Sequence, residues 1–84
     1  MRAKIRGKYW KILRERLPPD KDGLCVRDKR LITVRPSLRG ERELDVLIHE
    51  MIHACIWDLD EEAVTEIATD IAHVLWRIGY RIEK

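Results

Sequence analysis

Two histidines and a glutamate fall within five residues of this 84-residue chain, as His49-Glu50-Met51-Ile52-His53. On an α-helix, positions i and i+4 lie on one face, a turn apart, so His49 and His53 can converge on one metal ion. Nitrogen ligands of this kind suit zinc. Glu50 then lies beside the first ligand, where it can act as general base toward a water molecule at the metal. The spacing predicts a hydrolytic centre with one Zn²⁺ per chain; the alternative is two satisfied polar histidines at the edge of a core.

A third protein ligand is needed, because catalytic zinc sites usually have three and leave the fourth position for water. If the helices form a tight hairpin about residue 59, His53 lies opposite about residue 64, and glutamates of the second helix come within reach. We expect Glu62 to bind the metal and Glu66 to accept the other ring N–H of a ligand histidine. The alternatives are Glu66 as ligand with Asp70 behind it, or Glu61.

The pattern of apolar residues predicts the elements that must position these groups. Residues 4–13 predict one strand, with a bulge at Gly7. Residues 24–26 and 31–34 predict a β-hairpin across a polar turn. Residues 41–57 predict a mostly buried helix, and residues 60–78 predict a second helix with an apolar stripe. The stripe consists of Val64, Ile67, Ile71, Val74, Leu75 and Ile78.

The order strand, hairpin, helix, helix predicts a single α+β domain over residues 1–84. In it, a small antiparallel sheet, made of the hairpin and the N-terminal strand, packs on a two-helix hairpin. Asp58 with Glu61 three residues later has the form of a capping box at the start of the second helix, which gives Glu61 a role of its own.

Charge is distributed unevenly along the chain. Residues 1–42 carry 14 Lys and Arg against 5 Asp and Glu, whereas residues 43–84 carry 3 against 10. A basic half can bind nucleic acid or another anionic surface. We favour the alternative, in which the two halves attract each other, because the cations are spread along predicted strands.

No apolar run approaches the roughly 20 residues that a membrane span needs. The N-terminal residues also lack the apolar core of a secretory signal, so we expect a cytoplasmic protein without a membrane partner. Cys25 and Cys55 do not form a disulfide framework and are expected to be buried free thiols.

The helix with His49-Glu50-Met51-Ile52-His53, followed by a second helix with a glutamate, resembles the active-site core of zincin metallopeptidases. It is most similar to the gluzincin branch, whose third zinc ligand is a glutamate in a Glu-x-x-x-Asp-like motif; Glu62-Ala63-Val64-Thr65-Glu66 fits this with Glu in the last place. The blocks 44–54 and 57–63 also resemble small metallopeptidases encoded by phages and prophages. The interval from His53 to Glu62 is shorter than in large gluzincins, and the third histidines of metzincins and of a zinc endoribonuclease family are absent.

The resemblance implies a minimal zincin-like fold and a zinc-dependent peptidase, in which Glu50 is the general base and the substrate is a peptide or protein. It implies that residues 31–34 pair with an extended substrate as an extra strand. His73, Tyr80 and Arg35 are candidates for stabilising the oxyanion. Likeness to phage proteins implies the cytoplasm of an infected or lysogenic cell.

A second functional hypothesis is a catalytically silent zinc-binding module with a regulatory or nucleic-acid-binding role. The intact Glu50 argues against it, because a purely structural site does not need that residue.

Overall fold

The computed structural model describes residues 1–81, which form four strands and two helices. The strands are β1 (Arg2–Ile5), β2 (Lys8–Arg14), β3 (Gly23–Val26) and β4 (Leu31–Val34), and the helices are α1 (Gly40–Cys55) and α2 (Glu61–Arg77). The arrangement confirms the predicted α+β class, the hairpin and the two helices. Neither helix is long and apolar enough to cross a membrane.

The segment predicted as one strand over residues 4–13 is a hairpin of β1 and β2. Ile5 pairs with Lys8, and the turn residues Arg6 and Gly7 have φ values of +47° and +81°. Two consecutive residues of positive φ form a tight turn whose twist suits a hairpin. Glycine adopts this conformation without steric cost. The predicted bulge at Gly7 is therefore wrong, and the glycine marks a chain reversal.

The sheet is mixed, with the strand order β1-β2-β4-β3, where we expected an antiparallel sheet. The pairs β1–β2 and β3–β4 are antiparallel, but β2 and β4 run parallel. The loop of residues 15–22 carries the chain from the end of β2 to the far edge, so the β3–β4 hairpin returns with β4 beside β2. As a result β4, whose last three residues are all buried, is paired on both edges.

The hydrophobic core lies between the sheet and α1. Ile32 of β4 is fully buried and has the central place. Partly buried residues of α1, among them Leu47 and Met51, pack against this cluster. The other buried members are Ile5, Trp10, Val34, Leu38 and Val46.

Helix α2 packs against α1 and contacts no strand of the described chain. Its inner face consists of small residues, and Val64, Ala68 and Ala72 are fully buried there. Most of the predicted apolar stripe points away from α1. Ile67, Ile71, Val74 and Ile78 are 40–67% exposed. The periodicity of the large apolar residues correctly indicated an amphipathic helix. It did not identify the packed face, because two of the three fully buried residues there are alanines, which contribute little to the pattern.

Helix α2 is capped by Asp60, and the predicted capping box at Asp58 is wrong. The Ala63 N–H donates to Asp60 Oδ1 over 2.9 Å. Glu61 is then the first residue of the helix, and its carboxylate takes no part in the cap.

We predict that Ile32→Ala lowers the free energy of unfolding by about 2–5 kcal/mol, because it leaves a cavity in the core. The same substitution at Ile71, which is 41% exposed, should cost less than about 1 kcal/mol. Urea unfolding followed by circular dichroism measures both. An Ile71→Ala cost as large as that of Ile32→Ala would contradict the exposure of the α2 stripe in solution.

Candidate metal centre

Two imidazole rings lie side by side on one face of α1. The ring centroids of His49 and His53 are 5.0 Å apart, and the ring planes are inclined by 64°. Their side chains are only 19% and 18% exposed. The one-turn spacing of the motif therefore places two largely buried rings side by side, and their Nε2 atoms contact the same residue.

That partner is Glu61, which bridges the two histidines. His49 Nε2 lies 2.7 Å from Glu61 Oε1, and His53 Nε2 lies 2.9 Å from Glu61 Oε2. A carboxylate oxygen can only accept a hydrogen bond, so each Nε2 donates in this arrangement. Among residues 1–81, the donor atoms of these three residues form a group within 4.8 Å of one another.

Glu61 thus has the place that we predicted for Glu62. The expected hairpin put residue 64 opposite His53, but residue 61 lies there, three residues from the expected register. Glu61 is the first residue of α2, directly after the cap at Asp60, and so it lies at the turn closest to the end of α1. Successive residues of a helix are about 100° apart, so Glu62 points elsewhere and is exposed.

Glu66, predicted to accept the other ring N–H of a ligand histidine, is also exposed and lies outside the group of donors. It is one turn beyond Glu62 and shares its direction. Both residues belong to the outer, acidic surface of α2, together with Asp70.

The facing stripes of α1 and α2 form a polar ladder, which steps by four residues along α1 and by eight and then four residues along α2. Beyond the histidines, Thr69 Oγ1 donates to Asp45 Oδ2 over 3.0 Å. One turn further, His73 Nδ1 lies 3.2 Å from Glu41 Oε2. His73 is twelve residues from Glu61, or about 18 Å along the helix. The expectation that His73 stabilises an oxyanion at the His49–His53–Glu61 group is therefore wrong.

Glu50 is buried beside the histidines, with 9% of its surface exposed. Burial raises the pKa of its carboxyl group above the ordinary value of 4.5, and His49 and His53 oppose the shift. The nearby Cys25 is a free thiol that is only partly buried. Burial, together with the charge of Glu50, raises the pKa of that thiol to about 11.

Gly23 at the start of β3 makes room for Glu50. A Cβ atom at this position would lie 2.8 Å from Glu50 Oε2 and 2.8 Å from Val46 Cγ1. Real Cβ atoms do not approach other atoms so closely, so only glycine fits without a shift. The backbone of β3 at Gly23 thus packs directly against the Glu50 side chain.

The site opens into a cleft of about 520 Å³ between α1, α2 and β3. It is lined by the motif residues, by Glu61, by Gly23–Cys25, by Lys21 and by Trp57. β3 is an edge strand. The strand that we expected to pair with substrate, residues 31–34, is β4, whose two edges are already paired with β2 and β3. That expectation is wrong, and β3 is the strand whose free edge borders the cleft.

The other two oxyanion candidates also lie elsewhere. Arg35 binds Asp22 and the carbonyl oxygens of Pro18 and Lys21, and so holds the loop of residues 15–22. Tyr80 follows the end of α2 and is 63% exposed. Lys21 was not considered from the sequence, because nothing in the loop pattern shows that its side chain lines the cleft.

Comparison with known proteins gives no independent identification: no family model, curated protein or solved structure matches the chain.

We predict that Gly23→Ala lowers the free energy of unfolding by about 1–3 kcal/mol, because the new methyl group overpacks against Glu50 and Val46. In a Val46→Ala background, the cost of Gly23→Ala should fall by at least about 0.5 kcal/mol. Urea unfolding of the four proteins of this cycle checks the coupling. Equal costs in both backgrounds would show that Val46 does not limit the space.

Proposed function

We propose that the protein is a zinc-dependent peptidase in which His49, His53 and Glu61 hold one Zn²⁺ and Glu50 is the general base. The observation that carries the proposal is the convergence of two imidazole Nε2 atoms on one carboxylate, with the buried Glu50 at the same cleft. Two imidazoles and a carboxylate are a ligand set that catalytic zinc uses.

The spacing of the donors supports the fit. Ligand atoms bound tetrahedrally at 2.0–2.1 Å lie about 3.3 Å apart. One ligand atom from each of the three residues lies within 4.8 Å of the other two, and the contacts of Glu61 Oε1 and Oε2 with the histidines are 2.7 and 2.9 Å, so small side-chain movements suffice. The Glu61 side chain is 69% exposed and has space to move. Zinc binding also requires each Nε2 to lose its proton, because the proton and the metal bind through the same electron pair of the nitrogen.

Three protein ligands favour a catalytic role over a structural one. Structural zinc sites are closed by four protein ligands, whereas catalytic sites keep one position open. The described residues supply three donors to the group, and the cleft gives access to it. The silent zinc-binding module remains the alternative, which the activity experiment below separates.

Zinc bound at these residues would polarise the scissile carbonyl and lower the pKa of water. Glu50 accepts a proton from water as its oxygen attacks the carbonyl carbon. The same carboxyl group then donates that proton to the amide nitrogen as the C–N bond breaks. The surroundings of Glu50 suit both steps, because burial stabilises its protonated form and Gly23 leaves space for the side chain.

The substrate in this proposal is an extended segment of a peptide or protein. It adds to the free edge of β3 through backbone hydrogen bonds, and its carbonyl then lies along the cleft toward Glu50. Lys21 at the same cleft carries the positive charge that a developing oxyanion needs.

We predict that Glu61→Gln weakens zinc binding by more than about a hundredfold, because it removes a charged ligand. The matched control is Glu62→Gln, which makes the same change one residue along α2 and should alter the affinity less than about twofold. Calorimetric titration of metal-free protein with Zn²⁺ gives both affinities. Loss of binding in Glu62→Gln alone would move the third ligand to Glu62, and absence of binding in the unaltered protein would contradict the metal centre.

We predict that Glu50→Gln lowers peptide hydrolysis by about 10²–10⁴-fold, the usual contribution of a general base. Its zinc affinity should stay within a few fold of the unaltered protein, because Glu50 is not a ligand. Cleavage of a degenerate fluorogenic peptide library by the zinc-loaded protein is the assay, with Glu66→Gln on the exposed surface of α2 as the control. A protein that binds zinc and cleaves no member of the library would favour the silent module.

A further inference from the structure

The sheet face opposite α1 carries a cluster of cations around an exposed aromatic ring. The register pairs Arg2 with Lys11 and Lys4 with Tyr9, so these four side chains share this outer face. Tyr9 is 55% exposed. The guanidinium carbon of Arg2 lies 4.5 Å from the centroid of its ring, and Lys4 Nζ lies 5.6 Å from it.

The β3–β4 turn adds Lys29 and Arg30 to this cluster. With Arg2, Tyr9 and Lys11 they line a hollow of about 470 Å³, whose lining contains no acidic residue. The outer face of the sheet thus has an exposed tyrosine ring in a hollow whose charged residues are all positive.

A second hollow, of about 820 Å³, lies on the α1 side of the sheet and shares the lining residues Trp10 and Arg30 with the first. It extends around the end of α1 to Trp57, which is 44% exposed and has the Arg27 guanidinium 5.4 Å from its ring centroid. We call the two hollows together the basic track; it has an exposed aromatic ring with a cation over it at each end. Cations outnumber carboxylates in the second hollow, whose charged residues are Arg6, Lys8, Arg27 and Arg30 against Asp28 and Asp58.

The cations of the basic track outnumber the carboxylates that line it, which are Asp28 and Asp58. Within residues 1–81, cations of the basic half meet carboxylates of the acidic half at Arg14 with Glu43 and at Arg42 with Asp45. No cation of the track forms an ion pair with a carboxylate in that part of the chain. Mutual attraction of the halves, which we favoured from the sequence, therefore does not account for these charges. Holding like charges together raises the local potential and attracts an anion.

We infer that the basic track binds single-stranded nucleic acid, with phosphates along its cations and bases stacked on Tyr9 and Trp57. A charged groove with aromatic rings along it is the usual means of binding single strands without sequence preference. An anionic membrane is a poorer partner, because the track turns from the sheet face around the end of α1. A duplex is also a poorer partner, because its stacked bases offer no free faces to these rings.

The acidic outer surface of α2 lies on the opposite side of α1 from the sheet. It repels a polyanion, which therefore binds at the sheet. The inference is independent of the peptidase proposal, because binding requires neither zinc nor hydrolysis.

Fluorescence anisotropy tests this inference, with labelled oligothymidine and oligouridine of about 12 nucleotides. The charge-reversing double variant Lys11→Glu with Lys29→Glu should bind about tenfold more weakly or worse. The slope of log affinity against log salt should become shallower by about 0.7 for each phosphate that the variant no longer neutralises. Tyr9→Leu should weaken binding about fivefold to tenfold, and Tyr9→Phe should retain it, because stacking needs the ring and not the hydroxyl.

The matched control is Arg16→Glu with Arg77→Glu, which changes the net charge equally at exposed positions outside the track. It should weaken binding less than about twofold at moderate salt. Circular dichroism confirms that each variant is folded. Comparison of the two oligonucleotides shows whether DNA or RNA is preferred. An equal loss in the control, no effect of Tyr9→Leu, equal affinity for a duplex, or binding to phosphatidylserine vesicles but not to oligonucleotides would overturn the inference.

Discussion

The candidate site depends on the register in which α2 packs along α1. Val64, Ala68 and Ala72 bring the two helices close together, and polar residues of the two helices then meet across the contact. This register puts the carboxylate of Glu61 between two imidazoles and pairs Asp45 and Glu41 with groups further along α2. A shift by one residue would turn the stripe of α2 by about 100° and separate all of these pairs at once. The length of the connection between the helices, and the cap at Asp60 that ends it, therefore determine which side chain of α2 meets the two histidines.

Burial of Glu50 is the second constraint, and it opposes stability. A carboxylate that leaves water loses solvation free energy unless nearby groups compensate, and here His49 and His53 oppose the rise in the pKa of Glu50 that burial causes. The protein tolerates this cost at the point where β3 approaches α1 most closely. Gly23 gives the side chain its space, and the same strand offers a free edge to the cleft. The buried carboxyl group that loses solvation is thus also one that lines the cleft.

The sequence was sufficient for the α+β class, the β3–β4 hairpin, both helices and the placing of His49, Glu50 and His53 on one of them, because each follows from local periodicity or spacing. It was insufficient where long-range geometry decides. Alternation cannot distinguish one long strand from β1 and β2 joined by a two-residue turn, and it does not show that β4 pairs with β2. The sequence favours Glu62 over Glu61 as the third ligand, because a capping box at Asp58 would already give Glu61 a role. In the structure the cap is Asp60 instead, and the Glu61 carboxylate is free of that role. Gly23 and Lys21 gave no signal, since their importance arises only from what lies across the fold from them.

Helix α2 is attached to the rest of the described protein through α1 alone, and the fully buried residues of its packed face, Val64, Ala68 and Ala72, are small. Such an element can detach by local unfolding while the sheet and α1 stay intact. A metal held by two residues of α1 and the first residue of α2 would bind only the attached form and would favour it by mass action. Amide hydrogen exchange in α2 would then slow as metal is added, whereas exchange in β4 would change little. A metal bound at these three residues would therefore also stabilise the packing of α2 against α1.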